Sequence, residues 1–505
     1  YQAGSFLIDS STAFPNRGIV VVSKNWDSLA VRRLTVDQFD VTGNFITPGK
    51  TNVHAGVPAN AISAVKIIKT PAGTPKRYFA LGYIANSPNT FPPLAQSTNA
   101  VLVLDDGFNV INQIRLHYNT LTAAKALHTL RFHDMILLAD GNLFLCGYAQ
   151  QSSTAIRQLL LCKVSPAGAV LWSGIYPAVP NCNVTAFSAA QSSTGRILVT
   201  GVRDSCGSPS KKYLWVGAFN NANGAFINSR YYTNTVREMA GYKIVRLQNG
   251  AAGTDRFLIA GSIDVQNTAG ATDRQILCLD ITENTLAPNA MFWVGGTRTE
   301  LANDLIFRQN AAGRYSLFFT GYTNSFSGAV AIDEPYFLRV RYSTLAGSIP
   351  SMSEFSTYPN SAYTGRYGLE IKKAAGTKFA ILTNTLRPTG GGQIRWYTNM
   401  LLRDTVDVSG NCIKTQQPEL VRITPIHTTQ TFTKVDTLRR YPDAWTNYEP
   451  VRRDSICGVF KVDPVTATIT TSNVDQVLRT VNSGAQAEIT AALPGLSIYP
   501  NPSKD

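Results

Sequence analysis

Short apolar runs bounded by Gly, Asn, Ser and Thr recur along the whole chain, and they recur in order. Five share one design: KRYFALGY (76–83), GNLFLCGY (141–148), GRILVTGV (195–202), DRFLIAGS (255–262) and YSLFFTGY (315–322). Each reads as a hydrophobic strand closed by a glycine, at Gly82, Gly147, Gly201, Gly261 and Gly321, with intervals of 65, 54, 60 and 60 residues. Weaker members, GIVVVSKN (18–25) and TKFAILTN (377–384), stand before and after. Runs rich in β-branched and aromatic residues between turn formers predict strands.

Two further registers keep step. Before each glycine strand comes one opened by a small residue, at Ala61, Ala126, Ala186, Ala240 and Ala302. After it comes a strand, a turn and another strand, as in NAVLVLDDGFNVI (99–111), QLLLCKVSPAGAVLW (158–172), YLWVGAFNNANGAFI (213–227) and YFLRVRYSTLAGSI (336–349). The turn glycines, Gly107, Gly168, Gly224 and Gly347, supply the positive φ that tight hairpins need. Four antiparallel strands in about 60 residues cannot bury both faces alone, so the units must pack against each other. Radial packing answers this, and the expected fold is an all-β propeller of four-stranded blades. Counting outer hairpins gives eight blades, near residues 43, 107, 168, 224, 287, 347, 410 and 465, with seven plus an appendage as the alternative. The expected organisation is a propeller over 1–475, a linker or short helix over 476–495, and a separate element from 496 to 505.

Composition narrows the chemistry. Apolar residues make up 44% and charged residues 15%, and the net charge is +14. A basic surface suits an anionic glycan or an acidic partner; nucleic acid is not expected, because Lys and Arg occur as isolated pairs and never as a run. No apolar run approaches the roughly 18 residues of a membrane helix, so no membrane span is expected. The opening YQAGSFLIDSS lacks a basic start and an apolar core, so a secretory leader is expected to be absent or already removed. Of seven cysteines, Cys146, Cys162 and Cys278 sit in apolar strands. Cys182, Cys206, Cys412 and Cys457 lie beside polar turns and are the candidates for disulfides, which would fit an oxidising compartment.

Two stretches resemble known families. QLLLCKVSPAGAVLW is similar to the repeat unit of secreted Bacteroidetes propellers with delta-60-like repeats. Lys163, Gly168 and Trp172 match it, while Ser165 replaces the usual aspartate. The end of the chain, LSIYPNPSKD, resembles the start of the C-terminal sorting domain of the type IX secretion system, with Ile498, Tyr499, Pro500, Asn501 and Pro502 matching its entry motif. The resemblance implies a transient encounter with that secretion machinery and an extracellular or outer-surface address.

The search for catalytic sets returns little. There is no HExxH, GxSxG, Walker loop or calcium loop, and no cofactor or metal is expected. His128 and His133, five apart, fall on opposite faces of a strand. Asp105 and Asp106 sit in a hairpin, where turn chemistry explains them. Lys125, Arg237, Glu238, Arg298, Glu300 and Arg366 fall at the entry of inner strands and form a candidate binding rim for an anionic glycan or peptide. The expected function is a non-catalytic extracellular propeller in cell-surface binding, adhesion or self-assembly. The alternatives are a secreted polysaccharide hydrolase using rim carboxylates and an accessory part of gliding or secretion machinery.

Overall fold

The computed structural model describes strands and turns between Gln2 and Lys461, leaving out connecting segments such as 41–50, 86–96, 119–128 and 441–451, together with residues 462–505. Every regular element among the described residues is a strand. They form six sheets, not eight. The nine-stranded sheet divides into two antiparallel meanders, 61–118 and 129–176, joined by a single parallel pair, Ser97 with Thr129. Six sheets thus carry seven blade-like meanders, numbered here 1 to 7 in chain order. The seventh has three described strands: Gly365–Lys373, Lys378–Thr389 and Gln393–Asp404.

Alternation along each strand explains why both faces of a blade are buried. In blade 3, Leu143 and Leu145 pack towards blade 2, while Phe144 and Cys146 pack towards blade 4. Seven hydrophobic clusters result, one between each pair of neighbours. The one between blades 7 and 1 joins Ala380 and Leu382 to Phe6 and Val21, so the ring is closed.

The repeat glycines do not close their strands; they stand in the middle of them, as Gly147 does in Leu143–Gln150. Each of these five glycines faces a bulge in the inner strand, where two residues oppose one. The bulge pushes a carbonyl onto the glycine. A Cβ at Gly147 would lie 1.9 Å from the Arg131 oxygen, and one at Gly261 1.8 Å from that of Ala240. In the outer hairpins Gly168 and Gly224 have φ of 94° and 72°, as expected, but near 107 the positive φ falls on Phe108, at 59°.

The segment expected to form an eighth blade does something else. After blade 7 the chain turns back and runs around the outside, adding a strand to the outer edge of one blade after another. Lys414–Thr415 pairs with blade 6, Glu419–Ile423 with blade 5, Ile426–Thr429 with blade 4, Leu438–Arg440 with blade 2 and Arg452–Asp454 with blade 1. This belt covers edges that would otherwise expose unpaired N–H and C=O groups. Its outer position, and not a blade's, explains the irregular pattern of this part of the sequence.

Candidate functional site

Seven inner strands converge on the axis, and each carries its bulge at the same level. The residue completing the bulge is Ser5, Lys66, Asp134, Ser188, Lys243, Asp304 or Glu370, one per blade. All but Ser5 line a cavity of about 110 Å³, to which all seven blades contribute.

Three carboxylates in this ring latch one blade to the next in the same way. Asp134 accepts the Ala189 N–H at 3.2 Å and the Ser188 hydroxyl at 2.9 Å. Asp304 accepts the Ile371 N–H at 2.9 Å. Glu370 accepts the Phe6 N–H at 2.9 Å and the Ser5 hydroxyl at 2.7 Å, so the junction of last and first blades uses the same device.

Lysines balance the carboxylates. Glu370 also meets Lys66 and Lys372, each at 2.6 Å, and Lys243 stands 3.5 Å from Asp304. Burial alone would raise the Glu370 carboxyl; the ammonium groups of Lys372, Lys66 and Lys243 outweigh it and hold the group well below its ordinary value. Burial likewise opposes charge on Lys66, but Glu370, Asp134 and Asp304 keep its ammonium above the usual lysine range. On Lys372 burial wins, and its value falls.

Between ring positions lie the bulged residues themselves. His133, Phe187 and Tyr242, from blades 3 to 5, form an aromatic arc with centroid separations of 5.1 and 5.4 Å. Burial, then Arg131 and Arg157, lowers the His133 imidazole to about 3, so it is neutral at ordinary pH.

The rim residues expected from sequence that are described stand at or just before the inner strands of blades 5, 6 and 7, and none of them lines the axial cavity. Glu300 is fully buried, accepting the Gly296 N–H at 3.2 Å and the Thr323 hydroxyl at 3.0 Å. Burial pushes its carboxyl up to about 7 against these donors. The Arg298 N–H donates to Ser325 at 2.9 Å, tying two loops together. Glu238 is half-buried, and its carbonyl accepts the Asp264 N–H. Arg366 pairs with Thr385 through the inner strand of blade 7. Lys125 and Arg237 lie outside the described residues, as do the motif Ile498–Pro502 and the region from 476 onwards.

Cys182 is disulfide-bonded, while Cys206, Cys412 and Cys457 lie outside the described residues; Cys146, Cys162 and Cys278 are free and buried. Among the described residues no His, Cys, Asp and Glu group has metal-ligand geometry. The resemblance residues Lys163 and Trp172 clamp the next blade: both donate to the Asn221 carbonyl, at 3.2 and 2.8 Å.

Sequence reasoning missed the axial ring. A faint signal existed, because a small residue stands two positions before most ring members: Ala3, Ala64, Ala186, Gly241, Ala302 and Gly368. Ala186 and Ala302 were singled out, but in blades 2 and 5 the bulge falls at Ala64 and Gly241, not at Ala61 and Ala240.

No family model matches the chain, and no curated protein does. Among solved structures it is similar to a protein of unknown function from Dyadobacter fermentans, at 10% identity and a TM-score of 0.39, covering 69% of this chain and 100% of that one. So loose a likeness carries no argument, and the chain is an all-β propeller on the evidence of its own strand order and closed ring.

Proposed function

We propose that the protein is a non-catalytic propeller that works outside the cell, in binding, adhesion or assembly at the cell surface, after type IX secretion. The tail at Ile498–Pro502 and the Lys163, Gly168 and Trp172 unit support the address through the families they resemble. One observation carries the reading of the site: the axial carboxylates Asp134, Asp304 and Glu370 are each engaged in holding the next blade. A general acid or base must exchange a proton in the reaction, and carboxylates engaged by N–H donors and neighbouring lysines in this way are suited to binding and to holding the ring, not to proton transfer.

A hydrolase has one observation in its favour, the Glu300 carboxyl at about 7. That group is enclosed and bonded to its own loop, which fits a structural acid better than a catalytic one. An accessory role in gliding or secretion machinery shares the same address.

The test uses the full chain, fluorescently labelled, on intact bacterial cells and a glycan array, beside a hydrolysis screen on soluble polysaccharides. Saturable binding without turnover is the expected result. Turnover abolished by Glu238→Gln or Glu300→Gln overturns the reading.

A further inference from the structure

The axial cavity is uneven in a way that selects a ligand. One side is the arc of His133, Phe187 and Tyr242, and Leu369, Gly4 and Val65 line it from blades 7, 1 and 2. At about 110 Å³ it holds the volume of three or four waters at ~30 Å³ each, enough for the edge of a small ring but not for an oligosaccharide.

Its hydrogen-bonding groups are unequally occupied. Both Glu370 oxygens are taken, with Lys66 held tightly at 2.6 Å. Both Asp134 oxygens are taken too, by Met135, Ser188 and Ala189. The Lys243–Asp304 pair is different. Its 3.5 Å separation exceeds the ~2.7–2.9 Å of a charge-assisted N–H···O bond, so a donor and an acceptor stand side by side incompletely used. His133 also lines the cavity, and its Nε2 is buried without a hydrogen-bond partner.

A hydroxyl is the group that fits such a gap, because it accepts from an ammonium and donates to a carboxylate at once. A ligand carboxylate satisfies Lys243 but faces Asp304, Asp134 and Glu370. The cavity lining sets two ammonium groups, Lys66 and Lys243, against the carboxylates of Asp134, Asp304 and Glu370, so even with Lys372 pairing Glu370 from beside it the ring has no net positive charge to attract an anion. We propose that the axial cavity receives the edge of one ring of an uncharged sugar, the end of a glycan, with a hydroxyl bridging Lys243 and Asp304 and C–H groups against Phe187 and Tyr242. The inference rests on the reading of the protein as a surface binder and names what that site would bind. It departs from the expectation of an anionic ligand, which came from the whole-chain charge and from the mainly basic residues of the expected rim.

The test titrates the full chain with the methyl glycosides of glucose, galactose, mannose and N-acetylglucosamine, and with methyl glucuronide, by saturation-transfer NMR and calorimetry. At least one neutral glycoside is expected to bind. Phe187→Ala and Lys243→Met should each weaken it tenfold or more, while Ile349→Ser, on an exposed outer hairpin, leaves it unchanged. Circular dichroism melts confirm that each variant is folded; should Lys243→Met fail to fold, Phe187→Ala decides. Failure of every neutral glycoside to bind, binding of the glucuronide alone, or undiminished binding in the folded variants overturns the inference. The same preparations on intact cells separate the two claims. Cell binding without sugar binding overturns the sugar site and leaves the surface reading standing; loss of both removes both.

Discussion

Glu370→Ala tests whether the ring is closed by the latch between blades 7 and 1. Glu370 is 4% exposed and accepts from Phe6, Ser5, Lys66 and Lys372. Truncation leaves two ammonium groups, 14% and 29% exposed, without their nearest counter-charge. Breaking a buried pair from one side costs about 3–5 kcal/mol, and an unpaired buried N–H at Phe6 adds roughly 1–3 kcal/mol. The expected loss is therefore about 4–8 kcal/mol. With an unfolding entropy of ~2.1 cal/mol/K per residue, a cooperative unit of this size loses roughly 1 °C per kcal/mol, so Tm should fall by about 4–8 °C. Arg274→Ala is the comparison, because the Arg274–Asp264 pair at 3.0 Å is 37% and 15% exposed and contributes about 0–1 kcal/mol. Scanning calorimetry at pH 7 reads both, and hydrogen exchange at the Phe6 amide reads the seam itself. Because the folded Glu370 carboxyl lies below its ordinary 4.5, its contribution is present above that pH and is lost as pH falls through the folded value. The gap between wild type and Glu370→Ala should accordingly shrink in acid. If Glu370→Ala melts within about 1 °C of wild type, or no lower than Arg274→Ala, the latch does not hold the ring.

Four more outcomes follow from the same geometry. Glu300 binds its proton more tightly folded than unfolded, so stability falls as pH rises from 4.5 to about 7; Glu300→Gln should be the more stable protein at pH 8, by on the order of 3 kcal/mol, with the advantage gone below about pH 4.5 in urea titrations. Gly261→Ala places a Cβ 1.8 Å from the Ala240 oxygen and should cost at least about 3 kcal/mol or prevent folding. Gly141→Ala, at φ 80° with nothing within 4 Å, should cost only about 1 kcal/mol, as parallel melts would show. Ending the chain before Lys414 removes the belt, which among the described residues contributes only Leu420 to the hydrophobic clusters; the far-ultraviolet dichroism of the seven blades should survive, and its loss would make the belt part of the core.

Local pattern was enough to reveal the strands, the four-strand unit and the glycine register, because strand alternation and turn chemistry act over a few residues. It was enough for Gly147 and Gly201 to stand out, though not for their reason, which is a carbonyl on the neighbouring strand. The number of blades was not legible, since closure depends on Glu370 meeting Phe6 across the length of the ring. Nor was the site, whose members Lys66, Asp134, Lys243, Asp304 and Glu370 come from separate blades. In the linear chain each of them is one charge in a strand. The belt went unread for a related reason: edge pairing runs through the backbone and asks little of side chains, so 414–461 looked like a poor blade. The sequence by itself determined what each unit is. Only the tertiary structure decided how many units close the ring, which residues meet on its axis and what wraps its rim, because all three are set by contacts between groups far apart in the chain.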